Sequence, residues 1–541
     1  MNRQGRAICL ALSVCILVTL SSGFSLAAAG AVKNVIVLVP DGCGSTHTTL
    51  ARWYKGSPLA LDEVLTGGVK TYAAESLITD SAPAATAFAT GYKSNSKFVS
   101  VLPEKVTIPG LAQQGDPFKP VATVLEGAKL AGKATGIVAT SNIQHATPAA
   151  FSSHNFNRND YNDIAEQQVY QGMDVVLGGG KKYLLPKSAG GARTDNEDLV
   201  QVLRSMGYDI VENTGALMNS SASRIWGMFA GDAMAYDMDR DPAKEPSLAQ
   251  MTQKAIEVLS KDPDGFFLFV EGSEVDWASH ANDPVGVIGD VLAFDAAVMV
   301  ALDFAKKDGQ TLVVAFTDHG NGGMSIGSKQ SDHNYDRLPY SAVLDLLKKA
   351  KISGQGLEAR LSADRSNIIE AVAQYYGITD LKPEEIEAIR TAKPGSMNYA
   401  VGPIISGRCN VGWTTTGHSG EDVFLYSYGP SKITGLVENA EIAAKVAEAM
   451  GFSLNDLNSK MFVKARPAFE ALGAKVDWNN IDAANPVLVV EKGNVKAELP
   501  VSKNVITING GIRYMKGLTV FSRGTTFVPR EALDLFAAVA K

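Results

Sequence analysis

Four apolar runs, rich in β-branched and aromatic residues, each end abruptly in residues that can do chemistry. Val35-Ile36-Val37-Leu38-Val39 runs into Pro40-Asp41-Gly42, and Gly136-Ile137-Val138-Ala139-Thr140 into Ser141-Asn142. Phe266-Phe267-Leu268-Phe269-Val270 runs into Glu271-Gly272, and Thr311-Leu312-Val313-Val314-Ala315-Phe316 into Thr317-Asp318-His319. Continuous apolar runs of this length suit strands buried on both faces. Helical patterns such as Pro246 to Leu259 and Asp290 to Lys306 lie between them. The alternation predicts a doubly wound α/β domain, a mostly parallel sheet flanked by helices. Such sheets bind ligands beyond the carboxyl ends of their strands, where each of these four runs places a carboxylate, a histidine or a hydroxyl.

The chain of 541 residues is 45% apolar, enough for one large domain plus an appendage, and global disorder is excluded. Its formal charge is −7. Arg3 and Arg6 are the charged residues of the first thirty, so without that segment the charge is −7 − 2 = −9. An acidic balance argues against a nucleic-acid surface. It does not exclude a small anionic substrate, because bound metals can set the local field. Arg3 and Arg6, the apolar stretch Ala7 to Leu20 and the small residues Ala27-Ala28-Ala29 read as a signal peptide over 1–29. The rival is a membrane anchor, for which the apolar run is short; no other stretch looks transmembrane. Export is therefore expected, to the periplasm, the cell exterior or the envelope. Cys9 and Cys15 fall in the signal, leaving Cys43 and Cys409 to form one disulfide or remain free thiols.

The large domain is expected over 30–456, with a helical insertion near 330–405 in the roughly hundred residues between His319 and His418. Composition shifts near Leu457. The tail, 457–541, reads as a separate small α+β domain with a weak internal repeat. Met461 to Arg466 leads to Ala468 to Leu472, and Thr526 to Arg530 leads to Ala532 to Phe536, each a short strand feeding a helix.

Thr79-Asp80-Ser81-Ala82-Pro83-Ala84-Ala85-Thr86-Ala87 suits a helix with Asp80 or Ser81 at its N-cap and Pro83 in the first turn. Helix N-terminal amides bind phosphate, and a serine there can attack a phosphorus that they hold. Alone, Ser81 reads better as an ordinary capping serine. Asp276 and His280, four apart, share one helical face and can hold one metal. Asp318-His319 follows another strand, and His418 lies in the loop Thr416-Gly417-His418-Ser419-Gly420. A lone histidine is more often a satisfied structural one, but carboxylates and imidazoles together suit zinc.

In order along residues 33–450, the Asp-Ser-Ala motif, the Glu-Gly…Asp…His motif, the Asp-His pair and the Thr-Gly-His-Ser-Gly-Glu-Asp loop resemble those of the alkaline phosphatase family. The resemblance implies phosphate-monoester hydrolysis through a phosphoserine on Ser81, at alkaline pH, with two zinc ions and one magnesium ion per subunit. It implies Asp276, His280 and His418 as ligands of one zinc, and Asp41, Asp318 and His319 as ligands of the other. Asp41, Thr147 and Glu271 would hold magnesium through oxygen, as a hard cation prefers. Arg158 would grip two phosphate oxygens with its planar fork. His145 and Trp277 take second-layer positions that vary among members, a pairing similar to that of some marine and cold-adapted bacterial enzymes. A homodimer is expected by the same resemblance.

The tail, through Arg466 to Ala474, Val476-Asp477-Trp478 and Phe527 to Ala532, resembles the copper amine oxidase N-terminal-like stalk domain. It has no histidine or cysteine, so copper is not implied. Cell-envelope contact through the tail is an expectation, against a passive appendage. The competing functions are a phosphodiesterase or sulfatase of the same superfamily and a catalytically silent envelope-binding protein.

Overall fold

A computed structural model describes residues 32–479 and 482–540; the proposed signal peptide, with Cys9 and Cys15, lies outside them. The ten strands of the main sheet are β1 (Asn34–Pro40), β2 (Leu65–Lys70), β3 (Ala134–Asn142), β4 (Val175–Gly179), β5 (Asp209–Val211), β6 (Ile225–Met228), β7 (Phe266–Gly272), β8 (Thr311–Phe316), β9 (Val423–Tyr428) and β10 (Gly435–Glu438). Their order is β10-β2-β9-β8-β1-β7-β3-β4-β6-β5. Only β9 runs against its neighbours, β2 and β8. The four apolar runs are the four contiguous central strands β8, β1, β7 and β3, all parallel.

Alternate residues of these strands face two different cores. Val35, Val37, Val39, Phe267, Phe269 and Val314 pack under the helices Ser81–Thr90 and Ala146–Ser152. Ile36, Leu38, Leu268, Val270 and Val313 pack under Leu248–Leu259 and Pro284–Asp308. That is why the runs show no polar alternation. The 25-residue helix Pro284–Asp308 is long and apolar enough to cross a membrane, but 67% of its apolar window is buried in the fold; it is a core helix.

Parallel pairing also aligns the strand ends. Val39 pairs with Glu271, Ala139 pairs with Glu271, and Leu38 pairs with Ala315. Asp41, Ser141, Glu271 and Asp318 therefore emerge at one edge of the sheet.

Between His319 and His418 the helices Tyr340–Leu347, Ile368–Tyr376, Pro383–Thr391 and Met397–Arg408 build their own apolar cluster, which rests on Val275 and Ala278 beside the sheet edge. In the tail, Lys475–Asn479, Val487–Lys492, Val495–Pro500, Val505–Ile508 and Gly511–Tyr514 form an antiparallel meander. The two halves of the weak repeat are strand–helix units, Val463–Lys464 with Ala465–Ala471 and Thr525–Val528 with Arg530–Val539, and their strands pair with each other. Among the described residues Cys43 and Cys409 are free thiols, both buried.

Phe151 ties the Ala146–Ser152 helix to the sheet, stacking on Phe269 at 4.2 Å between ring centroids. Truncating a fully buried phenylalanine costs about 3–5 kcal/mol. Phe151→Ala is expected to lower the urea midpoint by that equivalent; a shift worth under about 1 kcal/mol would mean that this helix is held by other contacts.

Candidate active site

Ser81 opens a ten-residue helix whose N-cap is Asp80. Asp80 makes no side-chain capping bond; its Oδ1 instead accepts from Arg158 Nη1 at 2.6 Å. The first-turn amides are thus left for another acceptor. The Ser81 hydroxyl is buried and lies 3.3 Å from His319 Nε2.

Each strand end delivers its side chain to the same place. Asp41 follows β1 and is succeeded by Gly42 at φ +69, where a Cβ would sit 2.6 Å from Asp276 Oδ1; only glycine allows that turn and that approach. The Gly42 amide donates to Asp318 Oδ1 at 3.1 Å. Asp276 and His280 lie on the short helix Glu274–His280, with Nε2 3.3 Å from Oδ2. His418 is not in a free loop: His418–Ser419 pairs with Gly320–Asn321 as a two-residue antiparallel bridge. His418 Nε2 lies 3.6 Å from Asp276 Oδ1, and its ring stacks on His319 at 3.7 Å.

Second-layer groups aim the imidazoles. His280 Nδ1 meets the Thr416 carbonyl at 2.6 Å, and His418 Nδ1 meets the Thr79 carbonyl at 2.8 Å. Each contact favours a proton on Nδ1 and turns the Nε2 lone pair inward, the usual arrangement for metal-binding histidines. Asn321 Nδ2 donates to Asp276 Oδ1 at 2.7 Å. Sequence reasoning missed the pairing of Asp80 with Arg158, and it missed Asn321 and Gly42. For Gly42 the Asp-Gly step after a strand was a legible signal; for the other two only the fold brings the partners together.

Three groups have ligand atoms within 4.8 Å of one another: Asp276 with His319 and His418; Asp41 with Asp318 and His319; Asp41 with His145 and Glu271. Thr147 Oγ1 adds to the last, donating to Asp41 Oδ2 at 3.2 Å. These contacts bring together Asp41, His145, Thr147, Glu271, Asp276, Asp318, His319 and His418, with His280 3.3 Å from Asp276. Three details differ from the expected sets: His280 is outside the close group of Asp276 and His418, His319 stands in that group as well as with Asp41 and Asp318, and His145 comes close enough to join Asp41 and Glu271.

The electrostatics show what this cluster lacks. Burial, with Asp318, Asp276 and Glu271 beside it, pushes Asp41 well above the usual carboxylate range. Burial pushes Glu271 up to about 8. For Asp276 burial works the same way, but His280, then His319 and His418, outweigh it and hold the carboxyl far below its ordinary value. Asp41 Oδ1 and Glu271 Oε1 are buried without a hydrogen-bond donor, and Asp318 Oδ2 faces His319 Nε2 at 2.9 Å. Unpartnered buried carboxylate oxygens are costly and rare. Oxygen and imidazole donors converging with those atoms fit divalent cations.

Arg158 reaches in from the loop before the helix Tyr161–Gln171, held by Asp80 and by His145 Nε2 at 2.9 Å. Burial and Arg158 push His145 down to about 3, so it is a neutral acceptor. Trp277 meets the His145 ring edge-on at 5.6 Å. On its other side lies a cleft of ≈ 620 Å³ that Tyr161, Tyr236 and Tyr399 help to line.

The alkaline phosphatase family model matches residues 32–452, and the model of the copper amine oxidase N-terminal domain matches 445–537. The chain belongs to the alkaline phosphatase family. Alkaline phosphatase 3 of Bacillus subtilis is 37% identical over 452 residues, covering 79% of this chain and 91% of that protein. Among solved structures, a cold-active alkaline phosphatase from the psychrophile Shewanella sp. superposes with TM-score 0.66 at 30% identity, covering 77% of this chain and 99% of that one. A variant alkaline phosphatase of the Antarctic bacterium TAB5, solved with Mg bound in its M3 site, gives 0.56 at 26% identity, covering 78% and 99%.

Stripping divalent ions with a chelator is expected to lower the melting temperature, since each ion held at 100 times its Kd stabilises by about 2.7 kcal/mol. The loss grows with pH. Glu271, raised from 4.5 to about 8 in the fold, favours the metal-free protein only while it keeps its proton, and that contribution disappears as pH rises through about 8. Calorimetry at pH 5.5 and pH 9 checks this; an equal chelator effect at both would contradict it.

Proposed function

We propose that this chain hydrolyses phosphate monoesters to alcohol and inorganic phosphate by two transfers through Ser81, at alkaline pH. The observation that carries the reading is the placement of the Ser81 hydroxyl at a helix N-terminus, against His319 and beside the unpartnered buried oxygens Asp41 Oδ1 and Glu271 Oε1.

Asp276, His280 and His418 would hold one zinc, Asp41, Asp318 and His319 a second, and Asp41, Thr147 and Glu271 a magnesium. The Mg in the M3 site of the TAB5 variant supports the third. Bound there, the ions supply positive charge that acidifies the serine hydroxyl and water and offsets charge on the leaving oxygen. The remaining work is done by side chains. Ser81 Oγ gives up its proton and attacks phosphorus in line; the Oγ–P bond forms as the bond to the leaving alkoxide breaks, and the alkoxide takes up a proton from water and departs as the alcohol. Water then attacks the phosphoserine on the opposite side, and Ser81 recovers its proton as phosphate is released. Arg158 binds two equatorial oxygens with its fork, pre-aligned by Asp80 and His145. The first-turn amides of the Ser81–Thr90 helix face the same charge. With His145 neutral and Trp277 uncharged, Arg158 is the fixed side-chain cation on the phosphate, so product leaves readily.

Export follows from the N-terminal pattern of Arg3, Arg6 and the apolar stretch after them. Small phosphate monoesters are the substrates.

Ser81→Ala is expected to lower p-nitrophenyl phosphate turnover by about 10³-fold or more, and acid quenching of the parent with labelled phosphate should trap a phosphoserine. Activity that survives chelation, or a Ser81→Ala variant within tenfold of the parent, would reject the reading. Trp277→Lys adds a cation beside the phosphate and should tighten inhibition by inorganic phosphate about tenfold, near 1.4 kcal/mol; unchanged inhibition removes Trp277 from product release.

A further inference from the structure

The tail does not hang free. Its turns sit on the loop that carries Arg158. Ser502 donates its hydroxyl to Asp163 Oδ1. Asp163 Oδ2 accepts from Asn155 Nδ2 at 2.6 Å, and Asn155 Oδ1 accepts the Asn157 amide at 2.9 Å. This is a continuous relay from the tail to the residue preceding Arg158. Next to it, Lys503 Nζ pairs with Glu166 at 3.1 Å, on the helix that the Arg158 loop enters.

A second tail turn grips the other side. The Arg523 guanidinium lies over the rings of Phe156 at 5.0 Å and Phe118 at 5.2 Å. Phe156 is two residues before Arg158. Between the two turns, Phe462, Leu518, Val520 and Phe527 bury an apolar patch against Ala122. Ser502 and Arg523 both have left-handed backbones, φ 64 and 46. Non-glycine residues in that region are strained and persist where the surroundings hold them; here both side chains face the same loop.

We infer that the C-terminal domain is a brace for the phosphate-gripping loop, with Ser502 and Arg523 as positioning residues that act through Arg158. The inference rests on the role given to Arg158 above. It assigns the tail a part in phosphate affinity, where a stalk or passive appendage would have none.

The test uses the full chain with its metals bound. Ser502→Gly combined with Arg523→Gly removes both side chains, and glycine adopts both backbone conformations without strain, so the variant folds. Expected is a rise of about fivefold in both the KM for p-nitrophenyl phosphate and the inhibition constant for inorganic phosphate. Expected alongside it are kcat within about twofold, unchanged metal content and faster hydrogen exchange across residues 155–163. Lys475→Ala, on the exposed outer strand at the other side of the tail meander, should change none of these. On an Arg158→Ala background the paired glycines should add little. Unchanged exchange and inhibition, or the same fivefold rise without Arg158, would overturn the brace. Arg158→Ala alone separates the two readings. If it leaves phosphate inhibition unaltered, the role of Arg158 fails whatever the tail does. If it weakens inhibition while the paired glycines do nothing, Arg158 stands and the brace falls.

Discussion

Four carboxylates, Asp41, Glu271, Asp276 and Asp318, are buried side by side at the edge of a parallel sheet. Such a group cannot stay ionised in an apolar interior unless opposite charge meets it. Much of the surrounding structure answers that demand. Three histidines crowd in, backbone amides of Gly42 and His319 cap Asp318 Oδ1 at 3.1 and 3.0 Å, and Arg158 stands behind Asp80. Even so, several oxygens are left facing one another, and divalent ions are what that arrangement is shaped to receive.

The sheet makes the crowding inevitable. Parallel strands in adjacent register bring their carboxyl ends to one line, so a ligand at each end becomes a cluster without any special loop. The same geometry explains how much was legible beforehand. The apolar runs named the central strands, and because residues after a parallel strand must share an edge, Asp41, Glu271 and Asp318 could be grouped from pattern alone. Asp276 and His280 followed from helical spacing.

What lay beyond reach was set by long-range packing. Arg158 is a loop arginine until the fold lays it against Asp80 and His145, 78 and 13 residues away in sequence. The sequence left Asp80 and Ser81 as equal candidates for the N-cap. Asp80 took the position but turned its carboxylate to Arg158, because an ion pair with a buried guanidinium outweighs a capping bond to an amide. The seating of the tail depends on Ser502 and Arg523 holding backbone conformations that no local pattern announces. His418 read as a residue in a glycine-flanked loop; the two-residue bridge to Gly320–Asn321 that fixes it is too short to leave a periodic trace.

That bridge has a consequence for biogenesis. The first of the proposed ligands is residue 41 and the last is residue 418, so the site closes a loop spanning most of the catalytic domain. A growing chain that has not yet produced the bridge strand holds acids without their final imidazole, and therefore binds ions weakly and without selectivity. With the proposed ligands, metal capture would thereby be tied to completion of the domain rather than to its early stages. For a chain that crosses a membrane before folding, tight uptake would begin on the far side, drawing on the ions available there.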